Sequence, residues 1–258
     1  MSSSGISLWD DYVASHQHGS AYHLSAWGRA ISKTYGHQIF NLMAHDSGGA
    51  IVGLLPLVHI KHFLFGNNLF SLPFADLGGI LADNADAEKA LLIRATEIAA
   101  ENNIPTIELR QTYELNETVL VSDTAYKYAT NASQQTVKVR MLLDLPDSSE
   151  QLMSSFKSKL RSQIRRPLKD GLTVKTGGTE LLDDFYAVFA ENMRDLASPV
   201  HSKSFIANLL NELPENSRIF IIYKGETVGK IGSEGFIPSD GLPANKFGRR
   251  KPRPAAQV

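Results

Sequence analysis

The spacing of apolar residues in the first half of the chain predicts a mixture of helices and strands. Helical spacing marks residues 9–13, 25–34 and 86–101, and strand-like runs occupy residues 37–44, 50–60, 106–110 and 138–143. Asp46 and the glycines that follow it separate the first two strands, which is typical of a hairpin. Ser25 is the predicted cap of the second helix. Antiparallel hairpins combined with crossover helices indicate a mixed α/β (α+β) fold.

The second half begins with a strong helix signal. Ser148 and Gln151 stand at capping-box spacing, and the apolar stripe that follows them comprises Leu152, Phe156, Leu160 and Ile164. We predict one helix here that ends or kinks near Pro167. Further helices are predicted over residues 179–196 and after the cap Ser202, and strands over residues 172–176 and 218–223.

The periodic pattern stops after Val228. Residues 229–258 hold five glycines and four prolines with few large apolar side chains, a composition that disfavours a packed core. We expect neither strand alternation nor a helical stripe in this segment. One interpretation is a disordered basic tail. The other is that the reading frame changes near residue 228, a hypothesis that resequencing the gene around that codon tests.

Length and composition set the expected domain organisation. The chain has 258 residues, of which 43% are hydrophobic and 21% are charged, so two modest globular domains fit. We predict a first domain over residues 1–145, a partial second domain over 146–228 and a basic Gly/Pro-rich tail over 229–258. The tail carries six basic residues against two acidic ones, whereas the net charge of the whole chain is −1.

Several classes of protein are excluded by what the sequence lacks. It contains no cysteine, which excludes disulfides, thiolate zinc sites and a cysteine nucleophile. Residues 1–9 lack the basic and apolar segments of a signal peptide, and no apolar stretch approaches the roughly 20 residues that span a bilayer. Phosphate-binding glycine motifs and metalloprotease motifs are also absent. We therefore expect a cytoplasmic protein with no membrane span, no metal and no bound cofactor.

A run of basic residues marks the predicted helix of the second half. Its members are Lys157, Lys159, Arg161, Arg165, Arg166 and Lys169, and no acidic residue lies between Gln151 and Lys169. Positions 157, 161 and 165 recur every four residues, so they predict one cationic edge able to bind phosphate or carboxylate groups. A solvated charged face is the alternative.

Ser198, His201 and Ser202 are candidate site residues in a predicted loop between two helices. A loop histidine beside hydroxyl groups can exchange protons near neutral pH. The alternative is structural, because Ser202 also has the position of a helix cap.

Four residues in the first half are weaker candidates. His23 and Trp27 lie at the start of a predicted helix, where aromatic residues more often pack in the core. Phe74 and Asp76 lie in a predicted turn, where an aspartate often bonds its own backbone. Without further evidence, these four residues favour packing over binding.

Three stretches together resemble the FemAB-like proteins associated with bacterial exosortase (PEP-CTERM) and exopolysaccharide loci. They are GSAYHLSAWGRA at residues 19–30, SLPFADLGGIL at residues 71–81, and the pair KLRSQIRRPLKDGL and FAENMRDLASPVHS at residues 159–172 and 189–202. The resemblance covers residues 9–228. It implies two tandem GCN5-related N-acyltransferase (GNAT) folds, the second incomplete here because residues 229–258 replace its closing strands and helix.

The resemblance also implies a reaction and a set of site residues. An acyl or aminoacyl group passes from acyl-CoA or aminoacyl-tRNA to an amine of a peptidoglycan or exopolysaccharide precursor, such as a sugar nucleotide. His201 becomes the expected base. Expected substrate contacts are Lys159, Arg161, Arg165, Arg166, Ser198, Ser202, His23, Trp27, Phe74 and Asp76.

Two other functions stay open from the sequence. A non-catalytic module that binds an anionic glycan precursor or a partner enzyme would use the same basic helix. An RNA-binding protein would use the basic helix and the tail, and its binding would weaken steeply with salt.

Overall fold

The computed structural model describes residues 3–62, 66–75, 77–111, 113, 115, 143–224, 227–228 and 236–238. The chain divides into two compact units, residues 1–136 and 137–258. Both contain helices packed on a β-sheet, so the predicted mixed α/β fold is confirmed. Residues 116–142 lie outside the described part, and with them all but the last residue of the strand predicted at 138–143.

The first unit is built around the predicted hairpin. Strands β1 (Gln38–His45) and β2 (Ile51–His62) pair in antiparallel register, with Leu42 opposite Leu55. The Asp46 carboxylate closes the turn, because its Oδ1 accepts hydrogen bonds of 2.9 Å from the backbone amides of Gly48 and Ala50. This self-bonding turn explains why an Asp-Ser-Gly-Gly sequence follows the first strand.

Three shorter strands extend this sheet in the described residues: β3 (Gly66–Phe70), β4 (Leu81–Ala82) and β5 (Thr106–Glu108). The order is β1-β2-β3-β5, with β4 also paired to β2. Strand β5 is parallel to β3, whereas the other pairs are antiparallel. The parallel pair needs a crossover, which a helix supplies.

Helices cover both faces of the central strand β2. They are α1 (Ser3–Ser15), α2 (Ser25–Tyr35) and α3 (Ala85–Glu101). Leu55 and Leu57 pack with α3, while Leu54 packs with Trp9 and Val13 of α1. Burial on both faces explains the continuous apolar run of β2, since a strand with one solvated face would alternate.

Ser25 does not cap α2 as predicted. It is the first helical residue, and its backbone amide and Oγ donate to the two carboxylate oxygens of Asp10, at 2.8 and 2.9 Å. Arg29 then donates to Ser25 Oγ at 2.7 Å. The cap therefore comes from α1, which no local sequence rule could indicate.

The second unit is a smaller sheet with two helices on one face. Strands β6 (Leu172–Gly177) and β7 (Ser217–Lys224) pair antiparallel, and helices α6 (Leu182–Asp195) and α7 (Lys203–Glu212) pack on them. A single-turn 3₁₀ helix, Thr179–Leu181, precedes α6. The core of this unit consists of Leu182, Phe185, Ile206, Leu210, Ile219, Ile221 and Tyr223.

The helix predicted as one element around Phe156 is two. Helix α4 (Ser149–Ser155) ends before Phe156, whose backbone is extended, and α5 (Ser158–Lys169) begins two residues later. The Ser148 cap is confirmed, because its Oγ accepts from the Gln151 amide at 3.2 Å. The helix ends at Lys169, two residues beyond Pro167, which agrees with the predicted end near that proline, and Asp170 and Gly171 lead into β6.

Two short strands correct the expectation for the end of the chain. β8 (Thr227–Val228) pairs with the end of β7, and β9 (Phe236–Pro238) pairs with its beginning, opposite Ser217 to Ile219. Strand pairing therefore continues beyond Val228, contrary to the prediction from composition. The rest of the predicted tail lies outside the described residues.

We expect Asp10→Ala to destabilise the first unit, because the start of α2 loses two hydrogen bonds to one carboxylate. The loss should be about 1–2 kcal/mol in the free energy of unfolding. The two tryptophans of the chain, Trp9 and Trp27, are buried in the first unit, so their fluorescence during urea unfolding reports this change.

The matched control is Asp11→Ala. Asp11 is exposed, and within the described residues its carboxylate accepts one hydrogen bond, from Ser7 Oγ at 3.3 Å, so its replacement should change stability by less than about 0.5 kcal/mol. Equal losses in the two variants would contradict the capping role of Asp10.

Candidate functional site

The basic residues of the second unit lie on and beside α5, and their side chains differ in what they contact. Lys159 and Arg165 form no ion pair with any residue that the structure describes. Arg166 reaches Asp170, with 3.6 Å between Nε and Oδ2, but both side chains are exposed, so this pair contributes little stability. The charge of Lys159 and Arg165 is thus open to a ligand.

Arg161 serves the backbone at the break between α4 and α5. Its Nη1 donates to the carbonyl of Phe156 at 2.8 Å and to that of Ser154 at 3.3 Å. Both carbonyls lie at the end of α4, where helical partners are missing. The guanidinium therefore links the end of α4 to the first turn of α5 by hydrogen bonds, and its positive charge remains part of the cationic edge.

His201 lies in the loop between α6 and α7. The loop leaves α6 through Ala197, which has a left-handed backbone with φ of 51°. The Ala197 amide bonds Arg194 O at 3.0 Å and the Ser198 amide bonds Met193 O at 2.9 Å. This is the Schellman pattern, which fixes the direction of the chain after a helix.

The other end of the loop is also fixed. Ser202 Oγ accepts from the Phe205 amide at 3.2 Å, so the capping role is confirmed. Tyr186 on α6 donates its hydroxyl to the His201 carbonyl at 3.1 Å. The Ser198 hydroxyl is exposed and makes one long contact of 3.5 Å, to Leu196 O, within the described residues. The loop is therefore held at three points while its outer surface stays accessible.

The His201 imidazole is half-buried against the Phe205 ring, with 5.5 Å between ring centroids. Burial lowers the pKa of His201, because the charged imidazolium loses solvation. The ring is then neutral at pH 7 and can accept a proton. This protonation state is what a general base requires.

In the first unit, His23 is fully buried. Its Nδ1 is 2.9 Å from Ser20 Oγ, and its carbonyl accepts from Trp9 Nε1 at 2.7 Å. Burial lowers the pKa of His23 to about 4, against a smaller opposing effect of the Gly78 backbone. The side chain is neutral and stays inside the fold. Its predicted contact with a substrate stays a prediction.

Trp27 and Phe74 differ in their exposure. Trp27 is buried, with its ring 5.2 Å from that of Tyr22. Phe74 is half-buried beside Tyr35 and has a left-handed backbone with φ of 67°, which is unusual for a bulky residue. Asp76 lies outside the described residues. The turn that the sequence predicted here is thus a strained segment, and its role in binding is untested.

Sequence reasoning missed the polar side chains that pin this segment. Gln111 bonds both backbone groups of Ile80, at 2.9 Å each, and Arg110 Nη1 bonds the Ala75 carbonyl. Gly79 has φ of 101°, and a Cβ there would lie 2.3 Å from Gln111 Oε1, so only glycine fits. The two adjacent glycines were the available signal in the sequence, but they do not show which side chain bonds the neighbouring backbone.

The described residues contain no group of three or more His, Asp or Glu side chains placed to hold a metal ion. Of the helices that the structure describes, none combines the length and hydropathy needed to cross a lipid bilayer.

We expect the first unit to lose stability as the pH falls from 6.5 towards 4. The unfolded chain binds a proton at His23 near pH 6.5, whereas the folded chain does so only near pH 4. The loss amounts to about 3 kcal/mol at most. Urea unfolding followed by tryptophan fluorescence at several pH values measures it.

The comparison variant is His23→Gln, which can keep a hydrogen bond to Ser20. Its unfolding free energy should depend less on pH over this interval than that of the wild type. Burial also lowers the pKa of His37, which therefore adds a residual slope common to both proteins. Identical pH dependence in the two proteins would show that His23 is not the buried neutral group described above.

Comparison with known proteins gives a match to one family model and matches to solved structures. Residues 123–223 match the model of the FemAB family. The fold is similar to that of a solved structure described as FemX, with a TM-score of 0.62 and 22% sequence identity over 84% of this chain. The match covers 56% of the FemX chain, so this chain spans little more than half its length. No curated protein matches the sequence. The chain therefore has a FemX-like fold, and the segment that matches the FemAB family model includes α5 and the His201 loop.

Proposed function

We propose that this chain transfers an acyl or aminoacyl group to an amine of a cell-envelope precursor. The observation that carries the proposal is the acid-free cationic surface of α5, which lies within the segment matching the FemAB family. Similarity to the FemX fold supports it. The His201 loop lies in the same segment and supplies a neutral imidazole.

The finer identity follows from the sequence resemblance. We infer tandem GNAT folds, a role linked to exosortase or exopolysaccharide loci, and a cytoplasmic site of action. The donor is acyl-CoA or aminoacyl-tRNA, and the acceptor is a sugar-nucleotide or glycan precursor. All of these molecules carry phosphate groups, which lysine and arginine bind with charge-assisted hydrogen bonds.

The chemistry needs orientation and one proton acceptor. The acceptor amine attacks the acyl carbon, a C–N bond forms, and the C–S bond of the thioester or the C–O bond of the tRNA ester breaks. The amine proton passes to the His201 imidazole, and the leaving thiolate or ribose oxygen is protonated in turn. Transfer of this kind depends mainly on positioning the two reactants.

The cationic residues divide into two roles. Lys159 and Arg165 are the proposed anion contacts. Arg161 adds charge while donating to the backbone carbonyls of Phe156 and Ser154, and Arg166 adds charge while pairing with Asp170. Ser198 is the proposed hydroxyl contact of the loop, and Ser202 positions the loop as a cap. His23, Trp27, Phe74 and Asp76 remain proposed contributions of the first unit.

Arg165→Ala should raise KM for the anionic acceptor about tenfold, because a charge-assisted hydrogen bond is worth about 1.5 kcal/mol or more. The measurement is steady-state transfer to an amine-bearing nucleotide sugar, with the maximal rate much less affected. Arg194→Ala is the matched control, since Arg194 is exposed and pairs only weakly with Glu191 and Asp195. An unchanged KM in the Arg165 variant would contradict the proposed contact.

His201→Gln should lower kcat by about a hundredfold or more, because the general base is lost. In the wild type, the rate should fall only as the pH drops below the ordinary histidine value, since burial lowers the pKa of His201 and its neutral form is the active one. The variant should lack this acid limb. A wild-type profile without the limb, or a variant that retains it, would remove His201 from the role of base.

A further inference from the structure

Two apolar residues of α5 are not buried as the sequence predicts. Leu160 is 41% exposed and Ile164 is 39% exposed, although their spacing matches the inward face of a helix. They stand one turn apart and therefore share a face. A third to a half of each side chain contacts water, which is costly for a leucine and an isoleucine placed together.

Basic residues border this apolar face. Arg161 and Arg165 follow it on one side, and Lys159 and Arg166 lie towards the other, as 3.6 residues per turn require. No acidic residue occurs within α5. A helix with an exposed apolar stripe and a polar face whose charges are all positive is typical of segments that lie in the interface of an anionic membrane.

The neighbouring sheet adds exposed apolar surface. Strand β6 follows α5 directly, and Val174 on it is 55% exposed. Phe220 on β7 is 43% exposed and lies on the same sheet face as Val174, because its partner Thr176 is two residues away from Val174. This face is opposite the one that carries Ile219, Ile221 and Tyr223 into the core.

We propose that α5 docks on an anionic lipid bilayer, with Leu160 and Ile164 inserted among the acyl chains and the basic residues bound to headgroup phosphates. A soluble phosphate or an RNA would bind the basic residues but leave the Leu160 and Ile164 side chains in water. An anionic bilayer binds the basic residues and also removes the two apolar side chains from water. This inference rests on the proposed function only because both use the basic residues of α5. If both hold, the protein binds its acceptor at the membrane surface.

The test uses the full chain and vesicles of stated composition. Leu160→Trp places a reporter on α5, while Trp9 and Trp27 are buried and give a constant background. Emission should shift to the blue with vesicles that contain phosphatidylglycerol, and not with pure phosphatidylcholine. Raising the salt concentration should reverse the shift.

Cosedimentation with the same vesicles separates the apolar and cationic contributions. The double variant Leu160→Asn, Ile164→Asn should bind at least tenfold less, because it keeps every charge and loses only apolar surface. Leu196→Asn is the matched control, since Leu196 is 63% exposed but lies outside α5, and it should bind like the wild type. Circular dichroism checks that the three proteins have the same helix content.

Transfer to a soluble acceptor, measured without vesicles, distinguishes failure of this inference from failure of the proposed function. The asparagine double variant should retain that activity. Equal binding to neutral and anionic vesicles, equal binding of both asparagine variants, or binding to tRNA with none to vesicles would each overturn the inference.

Discussion

The positive charge of α5 has no compensation within its own helix, and the chemistry proposed for this chain depends on that imbalance. Arg161, Arg165 and Lys169 follow one another at intervals of four residues, and such like-charged pairs destabilise a helix by a few tenths of a kcal/mol each. The helix dipole favours the cations of the last turn, which offsets part of the repulsion. Bound phosphate would remove the remainder. An anionic ligand would thus stabilise the proposed binding surface.

In the first unit, irregular segments pack beside β2, a strand whose middle is buried on both faces. Several backbone groups beside the buried part of β2 are bonded by side chains from other elements, as buried polar groups require. Asp10 does this for the start of α2, and Gln111 for Ile80. Burial of its own imidazole lowers the pKa of His23 to about 4 and keeps it neutral. The segments that resemble the family motifs are therefore positioned by residues outside those motifs.

Local patterns predicted much of this fold. The hairpin at Asp46 and the caps Ser148 and Ser202 depend on residues close in sequence, so they could be read from spacing alone. The break at Phe156 could not, because the carbonyls it frees are satisfied by Arg161 from the next helix. The pairing of β9 with β7 was missed for a similar reason: a strand of three residues has no periodicity to detect.

The candidate site was predictable in kind and less so in detail. The sequence predicted the cationic edge and the histidine loop, but its spacing did not distinguish one basic residue from another. Their contacts separate Arg161, which bonds Phe156 and Ser154, from Arg165, which forms no ion pair within the described part of the chain.

The central claim is transfer itself, and mass spectrometry of the acceptor tests it most directly, with acyl-CoA and aminoacyl-tRNA supplied in parallel reactions. The account predicts an acceptor that gains the acyl group and loses one hydrogen, only when the protein and one of the donors are present. An acceptor that binds the protein but keeps its mass with both donors would contradict transfer and leave a binding module.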